Sequence, residues 1–211
     1  MKNMRKPAEG TTEAPPAHWE RILNTATECF LEHGFERTST AEIAHRAMVS
    51  KRELYTYFEN KRDLLSAVIF KLQGEMETNV NELWSSLGDL DEVLPKAARI
   101  LHDFILSEQF GKLLRIVAVE SYHNPQFARQ FYEKGPNLGR RATAMYLKHQ
   151  MKQGRLKQVD PILAADDFLD LVIGAQLMTA VMLGQTKEEP QRRNRVRHAV
   201  EMFLKNYAIT D

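Results

Sequence analysis

One cysteine, Cys29, stands among 211 residues. An internal disulfide and a cysteine-built metal cage are therefore excluded, and the usage fits a reducing compartment. Cys29 sits beside Phe30 in a helical pattern, the setting of a packed thiol rather than a reactive one. The seven histidines, at 18, 33, 45, 102, 123, 149 and 198, include no pair at metal-ligating spacing on one helix, so no metal is expected. No Gly-rich phosphate loop is present, no stretch alternates apolar and polar residues as a strand does, and no cofactor is implied. The longest apolar run, 168–183, is interrupted by Asp170, Gln176 and Thr179 and is too short to span a bilayer. Residues 1–17 are polar and Pro-rich without the apolar core of a signal peptide. A cytoplasmic protein with no membrane partner is expected.

Charge is also scarce in one sign. The formal net charge is +1. Within 17–70, seven Lys and Arg (21, 37, 46, 51, 52, 61, 62) face eight Asp and Glu (20, 28, 32, 36, 42, 53, 59, 63). No global basic excess announces a nucleic acid. Placement is more informative than the sum. Half of the acids (20, 28, 32, 36) fall on or just past the first helix, while Arg46, Lys51, Arg52, Lys61 and Arg62 gather around one turn and its exit.

What is present is helical periodicity. Apolar content of 43% and charged content of 27% are those of a globular protein. Residues 1–16 read as a disordered arm. Trp19, Ile22, Leu23, Ala26 and Phe30 recur at three and four, and Gly34 stops that helix. A long stripe (Leu65, Val68, Ile69, Leu72, Met76, Val80, Leu83, Trp84, Leu87) gives a fourth helix of six or seven turns ending at Gly88. Further helices are expected from Asp89, over 113–119, from Asn124-Pro125 with a kink or break at Gly135-Pro136, from Asp160-Pro161 to 183, and over 192–207. The expectation is an all-α chain of about nine helices. The stretch 168–183 is apolar on nearly every face, as if covered by its own domain on one side and by a second subunit on the other.

Two helix starts lie back to back between Ser39 and Phe58. Ser39 with Glu42, and Ser50 with Glu53, are capping boxes. Ile43, Ala44 and Ala47 form an apolar seam, and Leu54 and Phe58 share one face of the second short helix. Two short helices joined by a turn make a helix-turn-helix. The second carries Lys51, Arg52, Tyr55, Thr56 and Tyr57, side chains that reach phosphates and base edges.

The segment from about Ala17 to Met76 resembles the DNA-binding domain of the tetracycline-repressor (TetR) family of bacterial transcription regulators. The resemblance rests on Ile22-Leu23, Ala26, Phe30, Gly34-Phe35, Thr38-Ser39, Ile43-Ala44, Ala47 to Lys51, Leu54-Tyr55, Tyr57-Phe58, Lys61 and Leu64-Leu65. Two positions depart. Met48 stands where the family has Gly, so the turn must avoid a positive φ or carry strain. Arg52-Glu53 replaces small residues, so no operator preference is carried over. The segments 124–136, 154–156 and 160–161 are similar to an efflux-regulator-like subgroup.

The resemblance implies three parts: an arm at 1–16, a DNA-binding domain at 17–76 with its helix-turn-helix at 39–58, and an effector-binding and dimerisation domain at 77–211. Ser39, Ser50, Lys51, Arg52, Tyr55, Thr56, Tyr57 and Lys61 are the candidate DNA contacts. Tyr55, Tyr57 and Lys61 are assigned to phosphates, and Lys51, Arg52 and Thr56 to bases. The partners implied are a palindromic double-stranded operator, a second copy of the chain, and a small, largely apolar organic effector. For the effector pocket, Trp84, Phe104, Tyr122, Phe127, Phe131, Tyr132, Met145 and Met178 supply apolar surface, and Glu120, His123 and Gln176 supply polar groups. Each apolar residue taken singly reads first as core. For the dimer interface the candidates are Phe168, Leu171, Met182, Val196, Val200, Phe203 and Leu204. No enzyme is expected: Ser121 is one residue from Glu120 and two from His123 on a helix, so the would-be nucleophile points away from both. The alternative is a helical dimeric interaction protein, or a constitutive DNA binder without an effector cavity.

Overall fold

The computed structural model describes residues 17–184 and 189–209, with the backbone alone described for 75–81. The expected arm at 1–16 lies outside the described residues, as do the side chains of Met76 and Val80. Among the described residues every regular element is a helix. In order they are α1 (Ala17–Arg37), α2 (Thr40–Arg46), α3 (Lys51–Tyr57), α4 (Lys61–Ser85), α5 (Leu90–Ile105), α6 (Glu108–His123), α7 (Pro125–Lys134), α8 (Pro136–Lys152), α9 (Pro161–Ile173), α10 (Gln176–Leu183) and α11 (Glu189–Tyr207). The chain forms two compact units, one through Leu72 and one from Gln73, with α4 contributing to both.

Eleven helices replace the expected nine because two apolar patterns are interrupted by backbone. Pro136 has no N–H to continue α7, so Gly135 separates α7 from α8. At Gly174 the chain takes φ 49°, and a Cβ there would lie 3.0 Å from the Asp170 carbonyl oxygen. Periodicity carries through that point, but the helix does not. α6 also begins earlier than the apolar run, at Glu108, because the Ser107 side chain accepts from Phe110 N–H at 3.1 Å.

In the first unit, α1 buries Ile22, Leu23, Ala26, Cys29 and Phe30 along one face. Gly34, at φ 76°, leaves the helical path and turns Phe35 back onto Phe30, ring centroids 5.6 Å apart. The buried Thr38 hydroxyl then sits 2.7 Å from the Gly34 carbonyl and 3.0 Å from that of Cys29. Remaining carbonyls at this end face the Lys61 ammonium: Phe35 at 2.7 Å, Thr38 at 3.1 Å and Glu36 at 3.3 Å. The same ammonium stands 4.3 Å from the centroid of the Phe35 ring.

Between α2 and α3 the turn closes with Met48 N–H on the His45 carbonyl (3.1 Å) and Val49 N–H on that of Ala44 (3.0 Å). These are the paired bonds of a Schellman end, which places Met48 in the left-handed region at φ 50°. The same pair of bonds ends α8, but there Gly154 occupies the left-handed position, at φ 72°. Of the two alternatives read from the sequence, the turn therefore carries strain. Met48 is also largely exposed, so little packing offsets it.

In the second unit, α5, α8, α9 and α11 enclose one apolar core. Trp84 packs at a tilt against Tyr146 with ring centroids 4.8 Å apart, and Phe168 meets Phe203 edge-on at 5.3 Å. The Tyr146 hydroxyl donates to the Gly88 carbonyl at 3.2 Å, and burial pushes its pKa up to about 12. This core takes four of the seven expected dimer-interface residues out of reach of a partner. Phe168 and Phe203 are fully buried within the chain, and Val196 and Val200 are nearly so. Leu171 and Leu204 are half-buried, and Met182 alone of that set is exposed. An apolar helix face reads the same whether its cover is the same chain or another.

Two stability changes are expected. Lys61→Met keeps the stem on Phe35 but removes the ammonium from three carbonyls, a loss of about 1.5–3 kcal/mol for charge-assisted bonds. Segment-resolved hydrogen exchange should show α1–α3 opening roughly ten- to a hundred-fold more often, and unchanged protection would mean water replaces the ammonium without cost. Met48→Gly should stabilise the first unit by about 0.5–1 kcal/mol, since the left-handed conformation costs an L-residue about 1–2 kcal/mol and glycine returns part of that as chain entropy. A fall in melting temperature would show that the Met48 side chain holds more than the strain costs.

Candidate nucleic-acid interface and ligand cavity

The two short helices of the first unit are set by their first residues. Ser39 Oγ accepts from Glu42 N–H at 3.1 Å, and Ser50 Oγ from Glu53 N–H at 3.0 Å. Each serine removes one unpaired donor from a helix start. Leu54 and Phe58 then point inward, 0% and 1% exposed, and Trp19 stacks on Phe58 at 4.6 Å. With that face fixed, Lys51, Arg52, Tyr55 and Thr56 are left on the exposed side of α3, next to the exposed Ser39 and Ser50.

The eight expected contact residues do not all behave alike. Arg52 has no hydrogen bond or ion pair among the described residues. Lys51 stands 6.0 Å from the centroid of Tyr55, whose hydroxyl shares a 2.9 Å hydrogen bond with Thr40. Thr56 donates to the Glu53 carbonyl at 2.6 Å, which leaves its oxygen as an acceptor. Tyr57 is half-buried, edge-on to Trp19 at 5.9 Å. Lys61, expected at a phosphate, here points its ammonium at three carbonyls. Arg46, grouped with the turn's basic residues by sequence, is paired with Glu32 at 2.8 Å and Glu28 at 3.3 Å on α1. That pairing holds the Glu32 carboxyl below its ordinary range. Glu53 contacts His18. The cations of α3 itself are thus Lys51 and Arg52.

The second unit contains a cavity of about 210 Å³. Its walls are Gln73 of α4; Leu101, Phe104 and Ile105 of α5; Phe110 and Leu114 of α6; Phe131 of α7; Gly135 at the α7–α8 break; Pro136, Gly139 and Arg140 of α8; Leu169 and Ile173 of α9; and Leu177 of α10. The wall is nearly all apolar. Arg140 is held by Asp166, with Nη2 to Oδ2 at 2.7 Å, and this pairing keeps the Asp166 carboxyl below its ordinary range. Gln73 is buried.

Of the expected pocket residues, Phe104 and Phe131 line this cavity. The others lie elsewhere, for identifiable reasons. Trp84 is in the core against Tyr146 and Phe168. Phe127 and Glu120 are buried but not at the cavity wall. Tyr122 is 84% exposed and Met145 73%, and His123, Tyr132 and Met178 also face outward. Gln176 is half-buried outside the wall. Aromatic and methionine content therefore pointed to the right helices but the wrong faces. Gln73 was missed, although the sequence held a signal: it follows Ile69 by four on the α4 stripe, where a polar residue is out of place.

Residues 22–68 match the family described as bacterial regulatory proteins, tetR family, and residues 92–209 match the C-terminal domain of AefR-like transcriptional repressors. The HTH-type transcriptional regulator UidR of Escherichia coli strain K12 is 26% identical over 166 residues, spanning 77% of this chain and 81% of that protein. A solved structure from Mesorhizobium loti, described as a TetR-family transcriptional regulator, superimposes with a TM-score of 0.85 at 24% identity, covering 91% of this chain and 97% of its own. The flavonoid-responsive regulator FrrA gives a TM-score of 0.72 at 30% identity, covering 92% of this chain and 98% of its own. No described helix is long and apolar enough to cross a membrane. With its two capped short helices and both halves matched, the chain belongs to the TetR family and is a helix-turn-helix, DNA-binding transcription regulator.

Proposed function

We propose that the protein is a repressor that binds a palindromic operator as a homodimer and is released by a small, largely apolar effector. In this reading residues 17–76 are the DNA head and 77–211 the effector and dimerisation domain. The observation that carries it is the face of α3. Two serine caps and the burial of Leu54 and Phe58 leave Lys51, Arg52, Tyr55 and Thr56 together on one exposed surface. Ser39 and Ser50, with free backbone N–H groups at the helix starts, suit phosphates. Lys51 and Arg52 suit base edges, Arg52 as a bidentate donor to guanine. Two such helices about 34 Å apart read successive major grooves of a palindrome.

The cavity supports an effector, and the description of FrrA as flavonoid-responsive supports a small organic one. α4 runs unbroken from Lys61 to Ser85 and carries both the exit of the helix-turn-helix and the cavity residue Gln73. Release requires that the effector prefer the conformation with poor operator affinity, since equal affinity for both states shifts nothing. Dimerisation is assigned to the apolar side chains left uncovered on α10 and α11: Met178, Met182, Leu183 and Met202.

The reading is tested by gel shift on the DNA upstream of the protein's own reading frame, at two salt concentrations. Retarded DNA with a steep salt dependence is expected, and none at low salt would sink it. Arg52→Ala should cost roughly ten- to a hundred-fold on the preferred operator and relax preference at one base position. An equal loss on every sequence would overturn its base-reading role. Met182→Asp should shift the protein toward monomer in sedimentation and weaken operator binding, and an unchanged dimer would move the interface off α10.

A further inference from the structure

The side chain of Gln73 is 3% exposed. Its Nε2 donates to the Phe131 carbonyl, at 3.5 Å, at the C-terminal end of α7. That carbonyl also accepts from Gly135 N–H at 3.1 Å. A carbonyl on this side fixes which way round the amide lies, because the reverse orientation would set oxygen against oxygen. Oε1 is then left without a hydrogen-bond partner among the described residues, on a side chain that lines the cavity. The position is built rather than incidental. A Cβ on Gly135 would lie 2.0 Å from Nε2 and 2.7 Å from Cδ, so only glycine lets the amide reach this place.

A buried acceptor without a donor in an otherwise apolar cavity describes its complement. The complement is neutral, because the other polar group at the wall, Arg140, already has its charge matched by Asp166. It carries a hydrogen-bond donor for Oε1. It is flat, since Phe104, Phe110 and Phe131 line the space, the first two with centroids 4.7 Å apart, and rings prefer offset and edge contacts. It is small, because a cavity of about 150 Å³ holds benzene, and 210 Å³ leaves room for one more fused ring or a short alkyl group. We infer that the cavity takes a small neutral phenol whose hydroxyl donates to Gln73 Oε1. The inference rests on the effector reading above and names the chemistry of that ligand.

The test is calorimetric titration of the full chain with 1-naphthol and with 1-methoxynaphthalene, which has similar shape but no donor. The wild type should bind 1-naphthol roughly tenfold more tightly, the size of one net hydrogen bond. Gln73→Leu should abolish that preference while still binding the ether. Gly135→Ala should abolish it too, by displacing the amide with no change to Gln73 itself. Circular dichroism checks that both variants fold. Equal affinities in the wild type, a preference that survives in Gln73→Leu, or no binding of either compound would each overturn the inference. A parallel gel shift separates it from the reading on which it rests. Preferential binding of 1-naphthol with no change in operator affinity supports the phenol site and sinks ligand release. Operator release by both compounds alike keeps ligand release and overturns the phenol site.

Discussion

Helix ends are the constraint on which this structure turns, and Lys61 meets the most demanding one. Gly34 takes the chain out of α1, and the carbonyls of Phe35, Glu36 and Thr38 then have no helical partner. Left so in a partly buried place, each would lose its water without a replacement. A single ammonium answers all three and lies on the Phe35 ring as well. The first residue of α4 is thereby tied to the end of α1 and the approach to α2. With both neighbours fixed, α2 and α3 have little choice but to pack through Ile43, Ala44, Leu54 and Phe58, and the polar face of α3 is turned outward as a consequence.

The same device recurs on α4 in the second unit. Gln73 is buried on that helix, and it too donates to the carbonyl of a helix end, that of α7. The difference lies in what is left over. An ammonium has donors only, so Lys61 is satisfied by carbonyls alone. An amide has a donor half and an acceptor half, and only the donor half of Gln73 is answered. One inward polar residue therefore closes its site, and the other leaves its site incomplete.

Local chemistry was legible in the sequence, and the direction of long side chains was not. Ser39, Ser50, Asn124 and Asp160 cap the helices expected of them, since a cap is decided within a few residues. Gly34 and Gly135-Pro136 break helices for equally local reasons. The three carbonyls that Lys61 meets were not legible, because a cation at a helix start beside a recognition helix suits phosphate and carbonyl alike, and its flexible stem reaches either. Tyr122 and Met145 were misread because apolar composition names a helix, whereas exposure depends on what packs there. The interface was misread for a related reason: Phe168 and Phe203 find each other inside the chain, and no periodicity distinguishes that from a partner.

Apolar surface does remain uncovered, and its location follows from Gly174. Had the helix run unbroken to 183, its stripe would have continued along the core. Instead the end of α9 is closed by Arg195, whose Nη2 donates to the Leu171 carbonyl at 2.9 Å, and the chain restarts as α10 beyond Gly174. α10 seats itself through a narrow contact. Ala180 is its one buried residue, so close to Gly111 of α6 that a Cβ there would stand 3.3 Å from the Ala180 carbonyl oxygen. Arg115 of α6 adds a bond to the Val181 carbonyl at 3.1 Å. A helix held by one small residue cannot cover its own larger ones, so Met178, Met182 and Leu183 emerge, each about two-thirds exposed. Isolated exposed apolar residues need no explanation, but three on eight residues of one helix form a patch that water disfavours. Methionine suits such a patch, because its unbranched stem adapts to whatever lies opposite.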